Sequence, residues 1–470
     1  MPRLNTLAII KFLIFSVLVC IISLCPSINV ISTYSITISE HDSQRLLELL
    51  LLTLVLLHSI TFISAPSRHI FSQSVRYSLF IMVALGIIST LLATSVRHAM
   101  IEISMFTGLV YLTLFTAHLY SEKLIKWSII AIWVGVVFYM VAFYVGYITA
   151  NIFRSTIYWP DPFTGFSNIR SFNQYQLWTL GLITLPLLTF DFKKSYQRYC
   201  LHSGLACWWV LLFYSASRGA LLACFIGLLL TAAIYRKVAR SFIRLQLMYI
   251  CTGFFSYQIL FQLIPYLRGT AIVTGTIMRD TISDRIELWH QAANLIQNNP
   301  LFGIGPMHFS WYSPISAHPH NSVLQLMTEW GLPAALFILC ITGYGLFCWL
   351  KKFNITTIQT ETKLNRNLAI VLTFSIATNA TYSLVDGVIV MPISQVMMFT
   401  MIGLMLGLYG YENQKTVAKK TLFKPVFTSV VLVTLVWSTL PEILQSANGS
   451  EKRFSMGYMA TGPRIWLETK

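Results

Sequence analysis

Long apolar runs broken by short polar or basic stretches set the pattern of this chain. Leu46 to Ile63, Ser78 to Val96, Trp127 to Tyr147 and Pro425 to Leu440 each come close to the ~20 residues with which a helix crosses a hydrocarbon core about 30 Å thick. A helix satisfies its own backbone polar groups, so such runs are predicted to span a membrane. About thirteen segments qualify, near 7–25, 46–64, 78–96, 100–119, 127–149, 174–190, 203–217, 219–234, 246–264, 322–350, 368–385, 391–411 and 425–441. Arg3 and Lys11 give the first the look of a secretion signal, but no small-x-small cleavage pattern follows, and it is taken as helix one. The expected fold is an all-α polytopic membrane protein of about 12–13 transmembrane helices with a long, helical outside loop.

Lys and Arg are retained on the cytoplasmic side of membranes, which orients the predicted helices. With the N-terminus inside, the even-numbered connections hold Arg68 and Arg76; Lys123 and Lys126; Lys193, Lys194 and Arg198; Arg236, Lys237, Arg240 and Arg244; Lys351, Lys352, Lys363 and Arg366; and Lys415, Lys419, Lys420 and Lys424. The odd-numbered connections are poorer in Lys, and two are long, near 150–173 and 265–320. The tail from Glu442 to Lys470 then lies outside.

Only 11% of residues are charged, against roughly a quarter in soluble domains, and 14% are aromatic. The net charge of +16 is accounted for by topology and gives no case for nucleic acid. The outside cations are nearly all Arg: Arg45, Arg97, Arg154, Arg170, Arg218, Arg268, Arg279, Arg285, Arg453 and Arg464, against Lys452 and Lys470. Arg grips phosphate oxygens in two-point fashion, so these residues point either to a phosphate-bearing ligand or to lipid headgroups. The eight cysteines show no CxxC pattern and read as small core residues. No repeat and no phosphate-binding Gly-rich loop is present, which argues against an ATP-driven machine.

Three places can carry chemistry. Ser217-Arg218-Gly219 sits between two apolar runs expected to face each other as a tight hairpin; Arg218 is there as an interfacial anchor or an anion contact, and Gly219 allows close backbone approach by a ligand. In the long loop, Thr281 to Asp284 reads as the capping box of a helix reaching about Asn298, with Ile286, Trp289, Ala293 and Ile296 on one face. Arg285 in its first turn either meets a neighbouring acid or joins the backbone amides in favouring an anion. Asn299-Pro300 stops that helix, and Gly303 to Gly305 reads as a flexible connector. Third, His318, His320 and Asn321 precede the helix starting near Ser322, where the positive end of the dipole favours a neutral, proton-accepting imidazole or simply a capping residue. Two His separated by Pro do not make a zinc face.

Taken together, these residues resemble the O-antigen ligase superfamily of bacterial inner-membrane glycan transferases, which includes O-antigen ligases, Wzy-type polymerases and pilin O-oligosaccharyltransferases. His320-Asn321, nine residues, then Gly331 to Ala334 match the family's His-centred hallmark, with Ala334 where Gly is usual. Ser217-Arg218-Gly219 is similar to its Ser-Arg-Gly signature, and Arg285 to Trp289 followed by Pro300 to Gly305 to its Arg-x-x-x-Trp and Pro-x-x-Gly-x-Gly run. The likeness covers roughly 160–411, in the family's order.

The resemblance implies a GT-C-like enzyme of the inner membrane with its site on the periplasmic face. It would move a glycan from undecaprenyl diphosphate to a hydroxyl on lipid A core, on a growing glycan or on pilin, with inversion. Neither metal nor another cofactor is implied, and membrane lipids are the surroundings. His320, Arg218 and Arg285 are the implied catalytic residues: a base and two stabilisers of the diphosphate leaving group. Arg170, Gln174, His318, Asn321 and Asp386 are candidate substrate contacts, with Asn173 nearby; Asp386 and Glu329 are further candidates to orient His320. Outside acids are few and form no Asp-x-Asp, in keeping with a metal-free scheme. Three regions are expected: N-terminal helices over 1–160, a catalytic region over 161–411 including the loop 265–320, and a last helix with tail over 412–470. A flippase, the reading from another class, would place ionisable residues at the bilayer midplane; here Lys11, His58 and Glu102 are scattered.

Overall fold

The computed structural model describes residues 6–23, 40–61, 67–68, 73–158, 163, 165–166, 168–269, 272–273, 283–313, 315–410, 416–417 and 423–447. Thr281, Arg279 and the tail beyond Ala447 lie outside these. Every predicted apolar segment coincides with a helix. The first five are α1 (Thr6–Ser23), α2 (Glu40–Thr61), α3 (Gln73–Leu91), α4 (Val96–His118) and α5 (Glu122–Ile152). Then come α6 (Ile169–Leu182) with the short α7 (Leu185–Thr189), α8 (Ser195–Tyr214), α9 (Arg218–Tyr235) and α10 (Arg240–Gln258), the last running on through a π-helical turn to Arg268. The long loop contains α11 (Ser283–Asn298) and α12 (Phe309–Tyr312). The remainder are α13 (Ser322–Lys352), the short α14 (Thr357–Thr360), α15 (Lys363–Tyr382), α16 (Pro392–Gly410) and α17 (Phe423–Ala447). Among the described residues, strand pairing is confined to two contacts of two residues each, 67–68 with 416–417 and 157–158 with 272–273.

Among the described residues, seven helical stretches are long and apolar enough to cross a membrane: Glu40–Ile60, Val96–His118, Glu122–Ile152, Arg218–Arg268, Ser322–Lys352, Pro392–Gly410 and Pro425–Leu444. Two predicted segments fuse in Arg218–Arg268, and α1 and α3 contribute shorter apolar helices. The more polar α6 lies inside the bundle against α15 and α16, where Asn173, Gln174, Gln176 and Thr179 are fully buried. Enclosure by protein, not apolar composition, keeps such a helix out of lipid.

The packing departs from the sequence expectation in four places. α8 and α9 are not a packed hairpin: the turn through left-handed Ala216 (φ 54°) sends α8 against α10 and α9 against α15. α13 is not continuous, because Gly331 (φ 82°, ψ 164°) breaks it. The buried face of α11 is Leu288 and Ala292 with Trp289 and Leu295, which pack on Phe309; Ile286 points outward, so the apolar stripe is rotated by about one residue, ~100°, from the predicted one. Of the cysteines described, Cys224 alone is buried, while Cys200, Cys251 and Cys340 are exposed on the bundle exterior. In lipid an apolar small residue has no need of the core.

A buried ion pair and a half-buried one help fasten the helices. Arg45 of α2 pairs with Glu48 and donates to Gln395 Oε1 and to the Val390 carbonyl, both at 2.6 Å. Arg97 of α4 pairs with Glu442 of α17 at 2.6 Å. Both arginines are thus committed to holding helices together.

Candidate active site

Four helices each bring a candidate residue at or next to their N-terminal ends. Arg170 is the second residue of α6, Arg218 the first of α9, Arg285 the third of α11, and His320 stands one residue before the N-cap of α13. Arg170 reaches His320 at 3.2 Å, and Arg285 is within electrostatic reach of Arg170 and Arg218, so three guanidinium groups at helix N-termini are gathered in one region, an arrangement suited to an anion.

Local sequence explains each end. Asn168 caps α6 by accepting from the Ser171 amide at 2.9 Å. Ser217 caps α9, and Gly219 lets that helix close on Tyr382 and Val385, since a side-chain carbon there would stand 3.3 Å and 3.1 Å from them. The close approach expected at Gly219 is thus to protein. Asn321 caps α13, its Oδ1 accepting from the Val323 and Leu324 amides, both at 3.0 Å.

His320 is held in the left-handed region (φ 50°), a strained setting for a residue with a side chain. Several contacts impose it. Its backbone amide donates to His318 Nδ1 at 3.2 Å, and the Trp289 indole donates to the Pro319 carbonyl at 3.1 Å, so the Trp of the Arg-x-x-x-Trp run clamps the loop. The His318 ring lies edge-on to His320, centroids 4.1 Å apart, and over Gly387, where a side-chain carbon would come within 2.5 Å of it.

The imidazole of His320 bridges two charged groups. Nδ1 is 3.3 Å from Asp386 Oδ1, and Nε2 is 3.2 Å from Arg170 Nη1, with Ser316 Oγ at 3.4 Å. A carboxylate only accepts and a guanidinium only donates, which assigns the proton to Nδ1 and the lone pair to Nε2. Asp386 is buried and also accepts from the Gly387 amide at 2.7 Å. Burial pushes its carboxyl up, but the bond from His320, the electrostatic attraction of the two neighbouring imidazoles and the Tyr382 hydroxyl together hold it well below the usual carboxylate range. Arg285 is partly buried; its affinity for its proton is lowered by burial first and then by Arg170 and Arg218, with Asp386 and Tyr382 opposing. Those four groups are thus within electrostatic reach of Arg285, which draws the separate sequence motifs into one cluster with Asp386 as its central anion.

Gly303 to Gly305, expected as a flexible connector, belongs to a packed splice that begins at Pro300. The break at Gly331 frees helix carbonyls, and the Ile304 and Gly305 amides donate to Thr328 O and Glu329 O at 2.9 Å and 3.0 Å, while Leu332 N donates to Pro300 O at 2.9 Å. Gly303 (φ 67°) lies against the Glu329 backbone and Gly331 against the Leu301 carbonyl. Ala334 is buried with Trp330 and Ile103, a packing role.

Of the other candidates, Gln174 and Glu329 are fully buried, and Glu329 accepts from the Phe309 amide at 3.0 Å. Tyr382 was not singled out from sequence; its place four residues before Asp386, at the end of α15, was the available signal.

The fold and this cluster define a polytopic membrane protein with a cationic site built around a carboxylate-held histidine. Residues 203–339, somewhat under a third of the chain, match the family described as O-antigen ligase. The matched stretch contains Arg218, Arg285, His318, His320 and Asn321; Arg170 and Asp386 lie on either side of it. No curated protein matches the chain.

Proposed function

We propose that this protein transfers a glycan from undecaprenyl diphosphate to a hydroxyl acceptor at the periplasmic face of a bacterial inner membrane, with ligation of O-antigen to lipid A core as the leading assignment. The observation that carries the chemistry is the bridge Asp386–His320–Arg170, with Nε2 of the imidazole left as the proton acceptor.

The acceptor hydroxyl gives its proton to His320 Nε2 as its oxygen attacks the anomeric carbon. The bond from that carbon to the phosphate oxygen breaks, and the electron pair leaves with the diphosphate. Asp386 keeps Nδ1 protonated and offsets the positive charge that develops on the ring. Arg218 and Arg285 stabilise the charge growing on the leaving group, and attack from the face opposite the diphosphate inverts the anomeric centre. Arg170 has two tasks in sequence. In the structure it donates to Nε2; an incoming diphosphate draws its guanidinium away and frees the lone pair when substrate is present.

The test uses purified wild type and His320→Ala with undecaprenyl-diphosphate glycan, separate lipid A core, glycan and pilin acceptors, and EDTA throughout. Transfer to lipid A core that survives EDTA and collapses in the variant supports the assignment. Transfer to glycan or pilin instead makes the protein a polymerase or a protein oligosaccharyltransferase. Full activity in His320→Ala removes the base, and no transfer to any acceptor moves the reading to a carrier-linked glycan flippase.

A further inference from the structure

The segment from Gly303 to Asn321 leaves α13 at its break and returns to its N-cap, so the placement of this segment sets where His320 stands. Its α15 side is tied by the His320–Asp386 contact and by Ser322 N donating to Ser383 O at 2.8 Å. Its other side meets the turn between α3 and α4. There His308 is fully buried, with Nδ1 2.8 Å from the Pro306 carbonyl and Nε2 3.0 Å from the Ser95 amide. A carbonyl can only accept and an amide N–H can only donate, so both bonds form together only in a neutral ring protonated on Nδ1. Trp311 packs on His308 with centroids 4.7 Å apart and reaches His98 of α4 at 5.6 Å. Gly305 has no side chain where Ala93 presses in.

We propose that His308 is a positioning residue, a two-sided staple that locks the His320-bearing segment to the α3–α4 turn. The motif-free N-terminal helices thereby take part in placing the base. The staple stands on its own geometry; its effect on turnover rests on the transferase reading above.

The full-length protein in lipid nanodiscs is compared as wild type, His308→Gln and His308→Phe. Gln keeps a donor and an acceptor at its tip, while Phe keeps the ring shape but leaves the Ser95 amide and the Pro306 carbonyl unmatched. In His308→Phe, amide exchange across 303–320 is expected to speed up by about tenfold or more while α15 and α16 keep their rates. Transfer kcat should fall about tenfold with donor KM within about twofold. His308→Gln should recover both to within about threefold of wild type. Nitrogen-15 spectra of histidine-labelled wild type should place His308 in the neutral, Nδ1-protonated form. Wild-type exchange rates in His308→Phe, or an Nε2-protonated ring in wild type, overturn the staple. Should His308→Phe fail to fold, the wild-type spectrum and exchange in His308→Gln decide. Faster exchange in His308→Phe beside a wild type that transfers nothing supports the staple and refutes the transferase reading.

Discussion

Replacing Asp386 by Asn separates two things a carboxylate does for a histidine. Asp386 Oδ1 takes both the His320 Nδ1 proton, at 3.3 Å, and the Gly387 amide, at 2.7 Å. The Gly387 bond fixes the oxygen of an Asn side chain in the same place, so His320 keeps its tautomer and loses only the negative charge beside it. For unit charges 3.3 Å apart, an effective dielectric near 20 gives about 5 kcal/mol as a ceiling. The Asn dipole recovers part of this, and Arg285 already draws on the same carboxylate. About 2–3 kcal/mol remains, roughly a 30- to 150-fold loss in kcat. Asp386→Leu removes the acceptor as well, frees the ring to flip tautomer and should lose about tenfold more. The assay is single-turnover transfer from undecaprenyl-diphosphate glycan in nanodiscs, with His320→Ala as the floor. Activity of Asp386→Asn near wild type refutes charge stabilisation by Asp386, and activity at the His320→Ala floor refutes the retained tautomer.

Three further outcomes are expected. Gly331→Ala puts a side chain into a backbone conformation that only Gly adopts easily and against the Leu301 carbonyl, at a cost of about 3 kcal/mol or more, so its thermal midpoint should drop; Gly343→Ala, in open space on the same helix, should leave the midpoint unchanged. Arg285→Lys keeps the charge but loses the two-point grip and should weaken donor binding by about 1–2 kcal/mol, read as a higher KM for the diphosphate donor. Because the native Asp386 carboxyl is held below its ordinary value, its stabilisation is present above about pH 4 and is lost as pH falls from there toward the depressed native value. The difference in thermal midpoint between wild type and Asp386→Asn should therefore shrink as pH drops below about 4.

Apolar run length located the long helices of the bundle, because lipid forces backbone groups to pair within a segment and the required run length leaves a plain signature; the short α12 and α14 carry no such run. It could not show how helices meet. The splice between Pro300–Gly305 and the broken α13 depends on backbone groups, which are the same in every residue; only the glycines at 303, 305 and 331 hint at it. Arg218, Arg285 and His320 stood out as candidates because each is a polar residue in a short motif beside an apolar run or a helix start, and the expected topology placed all three on one face. The role of Arg45 and Arg97 was not legible, since an outer arginine has the same spelling whether it waits for a phosphate or is paired with Glu48 or Glu442. Gln174 is a related case: a polar residue near a loop reads as exposed, and only the packed bundle shows it fully buried.

The buried Arg45 network bears on how the protein is made. Arg45 and Glu48 emerge from the ribosome together, but Gln395 and the Val390 carbonyl follow 350 and 345 residues later. At ~5–20 residues per second, α2 waits roughly 20 to 70 s with its two charges compensating each other before α16 supplies the remaining partners. Val390 lies in the same short connection as Asp386, so the step that relieves α2 also brings the carboxylate up to His320. The anion that organises the arginines and the histidine thus arrives late in synthesis, in the same connection that completes the Arg45 network, and only Glu442 of α17, the partner of Arg97, follows it.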